Sequence, residues 1–123
     1  MATGFFGVPG DAIRLASNDE RVFRLAGKLW ERSRPERPSR GAIDIRVTVR
    51  PGGPGGPAPE KRLVWQHGAD EYTASVEGFL ETRIGLKTGR VDAGVTSGLL
   101  DAAPSFAART LLEAPAAVLL SRR

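Results

Sequence analysis

The sequence predicts an α+β domain, in which a small, mostly antiparallel sheet carries one N-terminal amphipathic helix and a kinked or split C-terminal helix. Residues 42–50 alternate β-branched apolar with polar side chains, which is typical of a half-buried strand. Residues 19–32 and 104–121 instead repeat apolar side chains at helical spacing. A chain of 123 residues can bury one core. We therefore expect a single domain over residues 1–123.

The first helix has the clearest sequence signals. Ser17-Asn-Asp-Glu20 has the form of a capping box, in which the serine and the glutamate each accept a backbone N–H at a helix start. The proline-containing stretch 34–41 predicts the helix end, because proline cannot continue a helix. A glycine-rich lead-in and a short strand over 12–16 are expected before it. One predicted helical face carries Val22, Leu25, Ala26, Leu29 and Trp30.

Several short strands are predicted after the alternating one. Residues 62–67 and 71–77 form two candidates with a turn between them, and residues 80–95 form two more around Lys87–Arg90. Gly89 would supply a positive φ at that second turn. Residues 51–59 hold four prolines and four glycines, a composition that predicts a flexible loop.

The C-terminal stretch is apolar over more than one narrow stripe. Pro115 removes a hydrogen bond to Leu111, so the helix should kink or split there. Burial on more than one side would require a further structural partner, which we expect to contact the 106–120 helix, and this face should otherwise stay exposed. The apolar residues are Phe106, Leu111, Leu112, Val118, Leu119 and Leu120.

Catalytic chemistry finds little support in the composition. The chain has no cysteine and one histidine, His67, which excludes disulfides and thiolate metal sites and leaves no evident nucleophile–base pair. The pairs Asp70-Glu71 and Glu77/Glu81 matter only if they converge in a cleft. Gly52–Gly56 lacks the Lys-Ser/Thr of a phosphate loop, and its prolines remove N–H donors. We predict no catalytic, cofactor-binding or metal-binding residue in this chain.

Basic residues are concentrated in the first half of the chain. Net charge is +4, and residues 1–62 contain 12 basic and 7 acidic residues. Interleaved acids and the lack of aromatic residues argue against nucleic acid, so a solvated arginine-rich face or a contact with another protein is favoured. No window reaches the roughly 18 apolar residues of a membrane span, and no signal peptide is evident, so we expect a cytoplasmic protein without a membrane contact. The candidate contact residues are Arg32, Arg34, Arg37, Arg40, Arg46 and Arg50.

The order of these features resembles the N-terminal region of bacterial HPr-kinase-like P-loop serine kinases. The resemblance depends on Ser17-Asn-Asp-Glu20 before a helix with a late Trp30, the strand and hairpins that follow, and Gly89-Arg-Val-Asp-Ala93 before a helix ending in Leu119-Leu-Ser-Arg-Arg123. In that family, such a helix runs into a glycine, a His-Ala strand and then the Walker A loop.

This resemblance implies that ATP and Mg²⁺ would bind only in a downstream domain. The chain would then be a non-catalytic accessory domain or a truncated product that packs on that kinase domain. The alternative is a stand-alone interaction module, which would use its arginine-rich face to bind an acidic protein or nucleic acid. The sequence leaves the oligomeric state open.

Overall fold

A computed structural model describes residues 1–8, 11–32 and 43–122. They form an eight-stranded sheet in the order β3-β1-β2-β4-β8-β7-β6-β5, together with four α-helices. The strands are β1 Ala2–Val8, β2 Asp11–Ser17, β3 Glu31–Arg32, β4 Ile43–Arg50, β5 Val64–His67, β6 Glu71–Val76, β7 Leu80–Gly85 and β8 Arg90–Thr96. The helices are α1 Glu20–Leu29, α2 Ser97–Ala102, α3 Pro104–Ala108 and α4 Ala114–Leu120.

The predicted α+β class is confirmed, but the sheet is mixed rather than mostly antiparallel. β4 is parallel to both of its neighbours, β2 and β8. The chain passes through α1 between β2 and β4, and such a crossover returns the chain in the same direction. The other strand pairs are antiparallel, as the predicted hairpins require.

One face of the sheet packs against the helices and forms the core. The apolar residues predicted to alternate along β4 are all at most 9% exposed. They lie beside buried residues of β2 and β8 in the ladder, because parallel neighbours in register project to the same face. This buried strip comprises Ile13, Leu15, Ile43, Ile45, Val47, Val49, Val91, Ala93 and Val95. The opposite side, hereafter the open face, carries the polar residues of the same strands and no described helix.

Strands β1 and β3 and helix α2 were missed by sequence reasoning, and a cap was misplaced. The helix predicted over 19–32 ends at Leu29, and Glu31–Arg32 form β3. The glycine-containing lead-in is strand β1, which pairs with β2 along its length, and α2 had no prediction. The expected capping box is wrong, because the N-cap of α1 is Asp19, whose carboxylate accepts the N–H of Arg21 at 2.9 Å. Ser17 is instead the last residue of β2, and it is buried. Hydrogen bonds from the Arg21 guanidinium to the same carboxylate are the main reason why the pKa of Asp19 is lowered.

Pro115 is accommodated by a π-helical turn over Arg109–Glu113, which joins α3 to α4. Within this turn the N–H of Ala114 donates to the carbonyl of Arg109, five residues back. The carbonyl of Thr110 accepts the hydroxyl of Thr82 at 3.3 Å instead, from the buried face of β7. A π-turn therefore admits the proline and gives the sheet a polar contact with the helix.

The expectation of an exposed apolar face on the 106–120 helix is wrong. Leu111, Leu112 and Leu119 are at most 4% exposed within this chain. Phe106, Val118 and Leu120 are partly buried against the same core. The sheet, α1 and α2 thus cover most of the apolar surface that suggested a further partner. No described helix is long and apolar enough to cross a membrane.

The glycine- and proline-rich connection after β4 is fastened to the start of α2. The Gly98 N–H donates to the Gly52 carbonyl at 3.0 Å, and the Thr96 hydroxyl donates to the Gly53 carbonyl at 2.7 Å. A Cβ on Gly98 would lie 2.4 Å from the carbonyl carbon of Gly53. Only glycine therefore allows this loop to approach the helix so closely.

Replacing Gly98 with alanine tests this contact. We expect G98A to lower the free energy of unfolding by about 2 kcal/mol or more, because a backbone segment must move. The control is G27A on the exposed side of α1, where a Cβ meets nothing within 4 Å. G27A should raise stability by about 0.5–1 kcal/mol through helix propensity. Urea unfolding of both variants provides the comparison, and equal stability of the two would contradict the packing described.

The hydroxyl contact from β7 to the π-turn gives a second prediction. T82V keeps the side-chain shape but leaves the Thr110 carbonyl without that donor. We expect a loss of about 1–2 kcal/mol in the free energy of unfolding. T48V, on the exposed side of β4, should change stability by less than about 0.5 kcal/mol. A T82V protein as stable as wild type would show that the hydrogen bond contributes nothing.

Candidate binding surface on the open face of the sheet

The open face consists of cross-strand rows of charged side chains. Residues directly opposite each other in adjacent strands project to the same side, so the ladder register decides which side chains meet. In the central four strands this register alternates arginine with aspartate. Two such rows cross the middle of the sheet.

The first row runs Arg14–Asp44–Arg90 across β2, β4 and β8. Arg14 Nε donates to Asp44 Oδ1 at 2.5 Å. This hydrogen bond, followed by the charge of Asp44, raises the pKa of the Arg14 guanidinium. Arg90 lies on the other side of Asp44 and makes no ion pair with any described residue. One carboxylate thus lies between two guanidinium groups.

The second row runs Arg46–Asp92–Arg83 across β4, β8 and β7. Arg83 Nε donates to Glu81 Oε1 at 2.7 Å, and this hydrogen bond is the main cause of the raised pKa of Arg83. Arg46 faces Asp92 in the register but has no ion pair within the part of the chain described. Each row therefore carries an excess of one positive charge, which is small for a surface of this size.

A concave pocket of about 470 Å³ lies over these two rows. Arg14, Arg46 and Arg90 line it together with Asp44 and Asp92. Guanidinium groups can hold carboxylates or phosphates through paired N–H donors. The aspartates in the same pocket repel such anions, so the pocket favours a partner that presents charges of both signs.

The six arginines selected from the sequence do not form one cluster among the described residues. Arg34, Arg37 and Arg40 lie outside those residues. Arg32 belongs to edge strand β3, three places from β4 in the sheet order. Arg46 and Arg50 lie on the open face of β4, and the Arg50 guanidinium donates to the Gly78 carbonyl at 3.0 Å.

The arginines that accompany Arg46 were missed by sequence reasoning. Arg14, Arg83 and Arg90 are far apart in the sequence and are brought together by strand register. The run of basic residues over 32–40 lies mostly outside the described residues and does not identify these three arginines. Polar positions at every second residue of neighbouring strands were the useful signal, but they identify neighbours only once the strand order is known.

The other candidates from the sequence are placed as follows. His67 lies on edge strand β5 with its ring 4.4 Å from that of Tyr72, and the guanidinium of Arg122 lies 5.7 Å from the Tyr72 ring centroid. Asp70 pairs with Lys87 at 3.3 Å on the surface. Among the described residues no group of three or more His, Asp or Glu side chains is placed to hold a metal ion.

A broad depression of about 1000 Å³ on the open face includes Glu77 and Glu81, beside Arg50, Arg62 and Phe79. Both carboxylates are exposed. A general acid at neutral pH usually needs a carboxyl removed from water. The depression therefore does not provide that environment.

A recess of about 720 Å³ lies between β1 and α1. Phe6 and Phe23 form part of its wall. Two of its polar side chains already have structural partners. The Asn18 amide donates to the Val49 carbonyl and accepts from the Val49 N–H, both at 2.8 Å. The Asp19 carboxylate caps α1. These two side chains therefore serve the fold rather than a ligand site.

The charged side chains of the open face can recognise a partner by charge and hydrogen bonding. The buried polar side chains are all hydroxyls, and none of the described buried side chains is ionisable. The buried hydroxyl residues are Ser17, Thr82, Thr96 and Thr110.

No protein-family model, curated protein or solved structure matches this chain.

The alternating rows give a testable prediction about anions. In the double variant D44N/D92N the arginines remain while both carboxylates of the pocket lose their charge. We expect the variant to bind a single-stranded oligonucleotide at least about ten-fold more tightly than wild type, with a steeper salt dependence. Fluorescence anisotropy at several salt concentrations measures both quantities. Equal affinity and an equal salt slope would contradict a role for the aspartates in limiting anion binding.

Proposed function

We propose that this chain is a non-catalytic domain that binds another protein domain. The observation that carries the proposal is the one-sided sheet, because helices cover one face and leave a broad polar face to solvent. That face presents paired charges of both signs, a pattern that suits complementary protein surfaces. The described interior supplies hydroxyls that hold the fold together, and all of them are used within it.

The resemblance to HPr-kinase-like proteins suggests which domain is bound. We infer that the chain is the N-terminal domain of such a protein and packs on a downstream P-loop domain, in a bacterial cytoplasm. Supporting this, Gly89-Arg-Val-Asp-Ala93 forms the turn and first half of β8, and the helical run that follows ends in the Leu-Leu pair of the resemblance. ATP and Mg²⁺ would then bind in the downstream domain, and this chain would not transfer phosphate.

Two surfaces are available for that contact. The 106–120 helix keeps partly exposed Phe106, Val118 and Leu120 on its outer side. The open face is larger and more polar, and Arg46 lies near its centre on β4. We assign the main contact to the open face, with the helix at its margin.

The gene and the nucleotide test the family assignment. The reading frame beyond Arg123 should encode Gly-x-x-x-x-Gly-Lys-Ser/Thr, and the 123-residue chain should give no binding heat with Mg-ATP in calorimetry. An intact gene that stops directly after Arg123 would end the kinase assignment. Tight ATP binding by the chain itself would contradict the non-catalytic role.

The binding surface is tested by charge reversal at matched positions. R46E places a negative charge on the open face beside Asp92, whereas R24E makes the same change on exposed α1. We expect R46E to weaken binding to the separately expressed P-loop domain at least about ten-fold, and R24E to leave it near wild type. If the two variants bind equally, the open face is not the contact surface.

The alternative proposal is a stand-alone module that binds an acidic protein or nucleic acid. The observation favouring it is that the Arg46 and Arg90 side chains line the same pocket without an ion pair to any described residue. Arg32, Arg34, Arg37, Arg40 and Arg50 would extend the contact. Titration with DNA, RNA and polyglutamate at low salt decides it, since a real polyanion contact weakens steeply as salt rises. No binding to any of the three would exclude this alternative.

A further inference from the structure

Strand β5 forms an edge of the sheet, and all four of its residues are exposed. Val64 is 52% and Trp65 37% exposed, and they are two of the three large apolar side chains in the described chain with this much exposure. The strand contains no proline and no Lys, Arg, Asp or Glu. Natural edge strands usually carry such residues because free backbone groups invite pairing with another strand. At the opposite edge, β3 has only two residues, Glu31 and Arg32, and both are charged.

The register of the β5–β6 hairpin shows which backbone groups of β5 face outward. The Gly68 N–H donates to the Glu71 carbonyl at 2.8 Å, and these residues continue the ladder that pairs His67 with Tyr72. Hydrogen-bonded and non-hydrogen-bonded pairs alternate along an antiparallel ladder. Val64 and Gln66 therefore bond to β6, whereas the N–H and C=O groups of Trp65 and His67 point away from it.

These outward groups allow one centred pairing of β5 with a second copy of itself. Opposing Trp65 of one copy to His67 of the other, around a two-fold axis at Gln66, satisfies all four outward groups of each strand. If one strand shifted by one residue, Trp65 would lie opposite Gln66 of the other copy. The backbone N–H and C=O groups of Gln66 are already directed to β6. A shift by two residues would oppose Trp65 to Trp65 or His67 to His67 and use only one of the two outward residues of each strand. The centred antiparallel register is the one that uses both.

The same register brings opposite charges together at both ends. Before β5 the chain lies outside the ladder, since Pro59–Lys61 forms a 3-10 turn. The basic flank Lys61-Arg62 of one copy nevertheless lies at the same end of the interface as the acidic turn Asp70-Glu71 of the other. The two-fold axis repeats this arrangement, so each end of the interface carries a basic and an acidic group. The Trp65 indole of one copy also lies beside the His67 ring of the other, which covers apolar surface that is exposed in the monomer.

We propose that two copies of this chain associate through β5 to form one continuous antiparallel sheet across a two-fold axis. The overlap is only four residues long, so the dimer is weak, with a Kd between about 10 µM and about 1 mM. This association uses an edge of the sheet and leaves the centre of the open face accessible. It therefore stands independently of the proposed partner domain.

Sedimentation equilibrium of the 123-residue chain over a wide concentration range tests the dimer. Wild type should shift from monomer to dimer as concentration rises, with the emission of Trp65 moving to shorter wavelength. H67P removes an outward N–H without removing a bond to β6, and H67A removes the same ring while keeping that N–H. We expect H67P to raise Kd at least about ten-fold above that of H67A. Far-ultraviolet circular dichroism checks that both variants are folded.

Charge exchange tests the register without altering the backbone. R62D should raise Kd several-fold, because it opposes two acidic groups at each end, and R62D/D70R should restore association. The Asp70–Lys87 ion pair lost in the double variant is exposed on both sides, so it contributes little to folding. A wild-type chain that stays monomeric up to about 1 mM would overturn the proposal. So would a dimer unaffected by H67P and by R62D, because it would use another surface.

Discussion

The structure depends on the burial of one side of β4. This strand lies near the middle of the sheet and pairs in parallel with β2 and β8, so its apolar side chains contact both neighbours and the helices above them. Because side chains alternate along a strand, fixing Ile45 and Val47 in the core fixes Asp44 and Arg46 on the other side. The division between a packed face and an open face follows from this one constraint.

The described helices pack against only one face of the sheet. A π-turn before Pro115 keeps the C-terminal helical run in contact with the sheet, and Thr82 supplies the polar link. The loop after β4 is fastened to α2 through Gly98. These contacts bury the apolar C-terminal stretch within the chain. The most distinctive surface that remains exposed is the open face, with its rows of charged side chains. The open face of the sheet, rather than the C-terminal helix, is therefore the surface to which we assign the contact with a partner domain.

Much of the fold could be read from local patterns, but the surface could not. Alternation gave β4, helical spacing gave α1, and Gly89 marked the turn before β8 at its observed positive φ. β1 was missed because glycines are uncommon inside strands, although Phe6 of this strand is fully buried. The row Arg46–Asp92–Arg83 joins residues that no local pattern connects, since strand order in a mixed sheet is set by long-range packing.

β4 and its two parallel neighbours form the stable centre of the molecule. Residue-resolved hydrogen–deuterium exchange at low protein concentration tests this most directly. Backbone amides of β4 should exchange most slowly, at the rate set by global unfolding, with β2 and β8 close behind and the outward amides of Trp65 and His67 among the fastest. If β4 amides exchange as fast as those of β5, the burial of this strand does not organise the fold and the account is wrong.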